Sequence, residues 1–102
     1  MYLMEFSITP MGKGESVGQY VAQSLEIIDR SGLDYQLHAM GTTVEGELEP
    51  LLNLLQQCFE SLEKESDRIT CTAKFDYRRQ AEGRLAKKVA SVEEKVGRPL
   101  RK

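Results

Sequence analysis

The feature that most constrains the fold is the order in which two kinds of hydrophobic periodicity follow one another along the chain. Apolar and polar residues alternate with a period of two in four segments, which is typical of half-buried β-strands. Apolar residues recur at helical spacing in two segments, one from Ser16 to Gly32 and one from Pro50 to Leu62. The predicted strands are about residues 2–9, 33–40, 42–46 and 68–78. The predicted order is therefore strand, helix, strand, strand, helix, strand.

This order predicts one particular architecture of the α+β class. Right-handed crossovers place both helices on the same face of a four-stranded antiparallel sheet, which gives the ferredoxin-like βαββαβ sandwich. A break at Gly41 separates the second and third strands, which we expect to pair as a hairpin. Each strand offers an apolar face to the helices, so that one core serves every element. The predicted inward residues of the first, second and fourth strands are Tyr2, Met4, Phe6, Ile8, Leu33, Tyr35, Leu37, Ala39, Ile69, Cys71, Ala73, Phe75 and Tyr77.

An extra C-terminal helix is predicted after the fourth strand, over about residues 81–96. The apolar positions of this helix are Leu85, Val89, Val92 and Val96. They form a narrow seam flanked by charged residues, and such a seam requires a partner surface. The chain has 102 residues, the length of one ordinary domain, and we expect residues 1–102 to form a single domain.

Composition and charge argue against several classes of partner. No segment approaches the roughly 20 apolar residues of a membrane span, and the N-terminus lacks the pattern of a signal peptide, so we expect a cytoplasmic protein. Residues 1–77 carry thirteen acidic and five basic side chains, whereas residues 78–102 carry nine basic and three acidic ones. Nucleic-acid binding would favour aromatic residues interleaved with these basic side chains, and residues 78–102 contain none. We therefore expect no nucleic-acid partner, and favour docking of the basic end on the acidic body of another subunit.

The chain offers few groups for catalysis or metal binding. Cys58 and Cys71 fall on apolar faces, as expected for reduced structural thiols in the cytoplasm. Their spacing relative to the single histidine, His38, matches no metal motif. No local signature pairs His38 with a serine or cysteine nucleophile. We therefore predict no catalytic residue, no metal site and no cofactor, and interpret the chain as a protein that is not an enzyme.

Three segments resemble one known family in their order and spacing. They are MGTTVEG at 40–46, KFDYR at 74–78 and KVASVEEKV at 88–96, and the loop that caps the first helix precedes them. The chain resembles the thiamine-binding, YkoF-like family of small ferredoxin-like proteins over nearly its whole length. The resemblance implies a cytoplasmic protein that binds thiamine or its hydroxymethylpyrimidine moiety. It also implies self-association into a homodimer and commonly a homotetramer.

The outward face of the sheet and the loop before the first helix supply the predicted ligand-binding residues. A pyrimidine that carries an amine needs both acceptors and donors, which hydroxyl and backbone groups provide. Glu45 or Asp76 could meet the amine or balance a thiazolium, Tyr20 could flank a ring, and the loop could hold an anion. The alternative for Glu45 is an ion pair with a lysine such as Lys74, and Ser16 is first a helix cap. The predicted ligand-binding residues are Ser7, Gly14, Ser16, Tyr20, Thr42, Thr43, Glu45 and Asp76.

Three other functions stay open from the residues alone. A ferredoxin-like sheet can bind another class of ligand, such as an amino acid or a metal, in a regulatory sensor module. The polar sheet face can also be simply solvated, or serve as an oligomerisation surface that holds no ligand. The least favoured alternative is an enzyme that uses His38.

Overall fold

The computed structural model describes residues 1–12, 14, 18–79 and 83–99, except for the side chain of Lys88. The elements are β1 (Tyr2–Pro10), α1 (Gly18–Arg30), β2 (Asp34–His38), β3 (Gly41–Gly46), α2 (Leu48–Glu63), β4 (Ile69–Tyr77) and α3 (Arg84–Val96). The strands form one sheet in the order β2-β3-β1-β4, and all neighbouring strands are antiparallel. This arrangement confirms the predicted ferredoxin-like α+β fold, its hairpin and its extra C-terminal helix.

The central strand β1 positions the rest of the fold. It pairs with β4 along its whole length, from Tyr2 to Pro10. Its pairing with β3 is shorter and ends where Phe6 lies opposite Thr42. The end of β1 therefore extends past the hairpin, and no described strand pairs with it on that side. β2 is shorter than the predicted 33–40, because the last of those residues form the hairpin turn.

The core lies between the helices α1 and α2 and the middle strands β1 and β3. The second helix buries one face at the spacing of three and four residues that an amphipathic helix requires, formed by Leu51, Leu54, Cys58 and Leu62. Full burial of an aliphatic side chain of this size stabilises a fold by about 1.5–3 kcal/mol. The residues that form the main buried cluster are Met4, Phe6, Ile28, Val44, Leu51, Leu54 and Cys58.

The edge strands differ from the prediction that every strand buries its apolar face. Tyr35 and Leu37 of β2 are 37% and 52% exposed, and Phe75 and Tyr77 of β4 are 37% and 53% exposed. The register places these side chains on the helix side of the sheet, as predicted, because Phe75 lies opposite the buried Met4. The expectation that they are covered is wrong. The helices pack mainly over the middle strands and leave the two edges open to solvent.

The C-terminal helix α3 packs on the face of the sheet that α1 and α2 leave open. Leu85 and Val89 cover part of that face and line a groove beneath the helix. Val92 and Val96, further along the predicted seam, are 38% and 49% exposed. The predicted start of this helix, near residue 81, lies outside the described residues. No helix in the described part of the chain combines the length and the apolar character needed to cross a membrane.

Candidate functional site

Two grooves on opposite faces of the sheet contain half of the residues predicted to bind a ligand. The first, called the α1 groove, lies between α1, the end of β1 and the β2–β3 hairpin, and encloses about 280 Å³. The second, called the α3 groove, lies between α3 and the open face of the sheet, and encloses about 310 Å³. The polar residues around the α1 groove are Ser7, Thr9, Ser24, His38 and Thr42, and of these Ser24 and Thr42 present their side chains on the helix side of the sheet. Those around the α3 groove are Glu5, Gln36, Thr43, Lys74, Asp76 and Arg84.

Gly41 allows the α1 groove to form at the point where β3 begins. A Cβ atom at this position would lie 2.6 Å from the carbonyl oxygen of Phe6, which is closer than a side chain can approach a backbone atom. Glycine therefore lets the start of β3 lie against β1. This close approach holds the hairpin beside the end of β1, which no described strand pairs with on that side, so that residues of β1 and β3 line the groove together.

The wall of the α1 groove contains a buried hydroxyl group from the helix. The buried residues of α1 are Tyr20, Ser24 and Ile28, which are four residues apart and share one face. Ser24 lies beside the thiol of Cys58 on α2. Burial raises the pKa of Cys58 to about 11, and the hydrogen bond with Ser24 opposes that rise. Cys58 is therefore protonated and unreactive at neutral pH, as expected for a structural thiol.

The α1 groove combines apolar walls with hydroxyl groups. Leu25, Leu37 and Met40 offer apolar surface from the helix and the hairpin. Hydroxyl groups can both donate and accept hydrogen bonds, so they can meet either kind of polar atom on a ligand. Among the described residues that line this groove there is no carboxylate, lysine or arginine. This lining suits a small uncharged heteroaromatic ring that carries donors and acceptors on its edge.

Two of the charged residues of the α3 groove, Arg84 and Asp76, are bonded to each other. The Arg84 guanidinium donates to the carboxylate of Asp76, and its Nη1 donates to the carbonyl oxygen of Asp76 at 3.3 Å. The guanidinium beside Asp76 holds the pKa of that carboxyl below its ordinary value. Lys74 lies opposite Glu5 on the neighbouring strand, where opposite charges attract. The ion pair of Arg84 therefore ties the start of α3 to β4.

Glu45 lies beneath the N-terminus of α3 and is only 4% exposed. Its Oε2 accepts a hydrogen bond from the backbone N–H of Arg84 at 3.1 Å. The N-cap residue of α3 is Gly83, which has no side chain to accept this bond, so a carboxylate from β3 satisfies one free N–H group of the helix. Within the described part of the chain, Oε1 of Glu45 is buried without a hydrogen-bond partner. Glu45 thus stabilises α3, and α3 in turn covers Glu45 and shields it from solvent.

His38 lies in a polar cluster on the open face of the sheet. Its Nε2 is 3.3 Å from Oγ1 of Thr43 and 3.6 Å from Oε2 of Glu5. Thr43 lies on the neighbouring strand β3 and Glu5 lies on β1, the next strand in the sheet, as the predicted outward direction of His38 requires. Among residues 1–12, 14, 18–79 and 83–99, no three histidine, cysteine, aspartate or glutamate side chains are grouped so that they could hold a metal ion.

The structure separates the predicted ligand-binding residues of the strands into two sets. Ser7 and Thr42 line the α1 groove, whereas Thr43 and Asp76 line the α3 groove. Thr42 and Thr43 are consecutive in β3, and consecutive side chains of a strand point to opposite faces of the sheet. One small ligand therefore cannot touch all four residues.

The other predicted residues lie outside both linings. Glu45 is buried under α3, and Tyr20 is 8% exposed within the helical layer. Gly14 lies exposed in the loop before α1, and Ser16 is outside the described residues. Sequence reasoning missed Ser24 in the wall of the α1 groove. Its signal is a polar residue that interrupts the apolar stripe of α1, four residues after Tyr20.

Comparison with known proteins establishes the family. The family model described as thiamine-binding protein matches residues 4–93. The chain belongs to the thiamine-binding protein family. It is 32% identical to a UPF0045 protein of Methanocaldococcus jannaschii, over 88% of this chain and 90% of that protein. It is 34% identical to a UPF0045 protein of Mycobacterium tuberculosis, over 95% of this chain and 96% of that protein.

Solved structures show how closely the fold is shared. A hypothetical protein from M. jannaschii has a TM-score of 0.83 and 31% identity, over 91% of this chain and 96% of that one. A Thermotoga maritima protein, proposed to act in thiamine biosynthesis or salvage, has a TM-score of 0.72 over 94% of this chain and 95% of that one. Its identity is 22%, so this second likeness concerns the fold alone. The family resemblance predicted from the sequence is confirmed.

Proposed function

We propose that the chain binds thiamine, or its hydroxymethylpyrimidine moiety, in the α1 groove without transforming it. We further propose that it does so as a cytoplasmic homo-oligomer. The observation that carries the proposal is a hydroxyl-lined groove without carboxylate, lysine or arginine side chains among its described residues, in a chain of the thiamine-binding protein family.

The lining of the α1 groove matches the edge and the faces of an aminopyrimidine. Thr42 of β3 lies opposite Phe6 on the helix side of the sheet, and its hydroxyl group can accept from an exocyclic amine or donate to a ring nitrogen. The end of β1, which no described strand pairs with on this side, borders the groove and can add backbone donors and acceptors. Leu25 of α1 and Leu37 of β2 offer apolar surface for the faces of the ring. A cavity of about 280 Å³ is near the lower end of the size range of ligand pockets, which favours one ring over a long ligand.

The distribution of charge predicts which half of thiamine enters the groove. Glu45 and Asp76, the two carboxylates predicted to meet the amine or the thiazolium, both bond to Arg84 on the far side of the sheet. A permanent cation would therefore lose its hydration in the α1 groove without gaining an ion pair from the described lining. We expect the pyrimidine to be buried and the thiazolium to stay in solvent. Hydroxymethylpyrimidine should then bind with an affinity within about tenfold of that of thiamine.

The matched pair Thr42 and Thr43 tests this site with one change of the same kind on each face. Replacing threonine by valine removes one hydroxyl at nearly constant volume. We expect Thr42→Val to weaken binding of hydroxymethylpyrimidine about tenfold, because one hydrogen bond to the ligand is lost. Thr43→Val should leave the affinity unchanged, since Thr43 lines the other groove. Isothermal titration calorimetry of the full chain with both ligands measures the two effects.

Two outcomes of that titration would overturn the proposed site or ligand. Weakened binding in Thr43→Val, with Thr42→Val unchanged, would move the site to the α3 groove. Binding of an amino acid from a test panel, with no heat from thiamine or hydroxymethylpyrimidine, would replace the ligand class. The absence of chemical change is tested separately, by mass spectrometry of thiamine after incubation with the protein, where we expect full recovery of the intact molecule.

A further inference from the structure

β4 presents a long strand edge on one side of the sheet. It is the last of the described strands on that side and has nine residues. Its register with β1 is continuous from Tyr77 to Ile69, so no bulge interrupts it. Its sequence, ITCTAKFDY, contains no proline. Natural proteins protect exposed edges by short strands, prolines, bulges or charged side chains. β4 has none of the first three, and its charged residues are one lysine and one aspartate, Lys74 and Asp76.

The opposite edge of the sheet is built differently. β2 has five residues, and the hydroxyl of its Tyr35 donates to the Asp29 carboxylate of α1 at 3.0 Å. α3 also lies beside this strand, where Gln36 lines the α3 groove together with Leu85. The β2 edge is therefore short and flanked by two helices, which makes β4 the better edge for pairing with another strand.

Aromatic side chains extend the unpaired edge of β4 into an apolar surface. Phe75 and Tyr77 lie on its helix side and are 37% and 53% exposed. The ring of Tyr77 contacts that of Tyr2, with centroids 4.8 Å apart. Exposed aromatic residues are enriched where proteins bind one another. The edge thus offers backbone hydrogen-bonding groups and adjacent apolar area at the same place.

We propose that β4 pairs with β4 of a second copy of this chain, antiparallel, about a two-fold axis through Phe75. The proposal rests on the self-association in the proposed function and names its surface. In this register Lys74 of each copy lies opposite Asp76 of the other, and the two Phe75 rings meet at the axis. The Asp76 side chain is 60% exposed although it bonds to Arg84, so it can also accept from a second cation. The two sheets then form one sheet of eight strands.

Charge selects this register among axes through residues 73 to 76. An axis through Lys74 would place two lysines opposite each other, and an axis through Asp76 would oppose two aspartates. An axis through Ala73 would place Lys74 opposite Thr72 and form no ion pair. The axis through Phe75 is the one of these four that pairs opposite charges. The two-fold symmetry forms this pair of Lys74 and Asp76 twice.

Sedimentation of the full chain tests the surface. We expect the wild type to self-associate, and Lys74→Asp to raise the dissociation constant roughly tenfold or more, because two attractive pairs become two repulsive ones. The matched control is Lys64→Asp, the same change at the end of α2, which should keep the wild-type constant. A wild-type monomer would overturn self-association altogether. A wild-type oligomer that Lys74→Asp does not weaken would overturn the β4 surface alone.

Disulfide formation tests the register. In a Cys71→Ser background, we expect Phe75→Cys to form a covalent dimer on oxidation, because equivalent residues on the axis are close enough for a disulfide. Ala73→Cys, opposite Tyr77 in this register, should not. The reverse pattern, or no covalent dimer from either variant, would overturn the axis through Phe75.

Two measurements keep these tests decisive. A variant that loses the wild-type circular dichroism spectrum is unfolded, and its test is then replaced by hydrogen exchange of the wild-type protein at two protein concentrations. The β4 amides must then gain protection at the higher concentration while the β2 amides do not, and equal protection would overturn the surface. Calorimetry of Lys74→Asp with hydroxymethylpyrimidine separates the ligand site from the β4 surface. We expect binding to persist in this variant, since the α1 groove does not use the β4 edge.

Discussion

The two grooves of the sheet have similar volumes but offer different chemistry. The α1 groove encloses about 280 Å³ between hydroxyl groups and apolar side chains, whereas the α3 groove encloses about 310 Å³ among charged residues. Thr42 and Thr43 show the contrast within one dipeptide, because identical side chains on consecutive residues line different grooves. The difference lies in what surrounds each hydroxyl.

Charged residues beside a groove do not by themselves make a binding site, because they can be engaged with one another. Arg84 and Asp76 join α3 to β4, and Glu45 accepts the first N–H group of α3. A ligand that recruited these groups would break existing bonds and leave a charge without its partner, which is costly. Hydroxyl groups exchange one neutral hydrogen bond for another at smaller cost. The α1 groove therefore offers the more accessible binding chemistry of the two.

The largest effect on stability is expected from Gly41→Ala, which perturbs the backbone that forms the α1 groove. The added Cβ meets the carbonyl oxygen of Phe6 at 2.6 Å, so the hairpin must move away from β1. We expect a loss of about 3 kcal/mol in the free energy of unfolding, from overpacking and backbone strain. Urea denaturation followed by circular dichroism measures this loss.

Gly18→Ala is the matched control for Gly41→Ala. A Cβ at Gly18 meets no atom within 4 Å, and the residue begins α1, where alanine favours the helix. Its stability should equal or slightly exceed that of the wild type. Equal stability of Gly41→Ala and the wild type would mean that the hairpin does not need its close approach to β1, and would remove the structural basis of the α1 groove.

An intermediate effect on stability is expected from Glu45→Ala, which perturbs the start of α3. The substitution removes the buried acceptor of the Arg84 N–H group and leaves the start of α3 without that bond. We expect a loss of about 1–2 kcal/mol, with exchange of the α3 amides about tenfold faster or more. Hydrogen exchange measured by mass spectrometry resolves α3 from the rest of the chain.

The control for Glu45→Ala is Glu47→Ala, two residues further along. Glu47 is exposed and is the N-cap of α2, but its side chain makes no capping hydrogen bond, so its loss should change stability by less than about 0.5 kcal/mol. Binding of hydroxymethylpyrimidine should persist in both variants. Loss of that binding in Glu45→Ala alone would contradict the assignment of Glu45 to helix capping and return it to the ligand site.

Periodicity is sufficient to predict the architecture, because strand and helix patterns depend on local neighbours. The alternation in β1 and the spacing of Leu51 and Leu54 in α2 correspond to buried faces in the structure. The degree of burial is harder to predict from the same pattern. Leu37 and Phe75 on the edge strands alternate with polar residues in the same way as residues of the central strands, and only the order of the sheet explains why the helices leave them open.

The candidate site is less predictable, because it depends on contacts between elements that are distant in sequence. Thr42 and Thr43 fall together in the predicted site although alternation along β3 places them on opposite faces, and only the packing of α1 and α3 shows which groove lies on each face. The sequence predicts that Glu45 meets a ligand or a lysine, but its bond to Arg84 joins residues 39 positions apart. Ser24 carries a local signal, a polar residue on an apolar helix face, which does not tell whether the residue lines a groove or bonds within the core.

The smallest effect is expected from Asp76→Asn, which tests the ion pair of the α3 groove through pH. Arg84 stabilises the charged form of Asp76 in the folded protein, so the folded pKa lies below the ordinary value of 3.8. The stabilisation is complete above about pH 5 and is lost as the pH falls through the folded pKa. Asp76→Asn should therefore reduce the acid-induced loss of stability in urea denaturation between about pH 2 and 5. Asp34→Asn, on the opposite edge strand, should keep the wild-type profile, and identical profiles for Asp76→Asn and the wild type would show that the pair with Arg84 does not contribute to stability in solution.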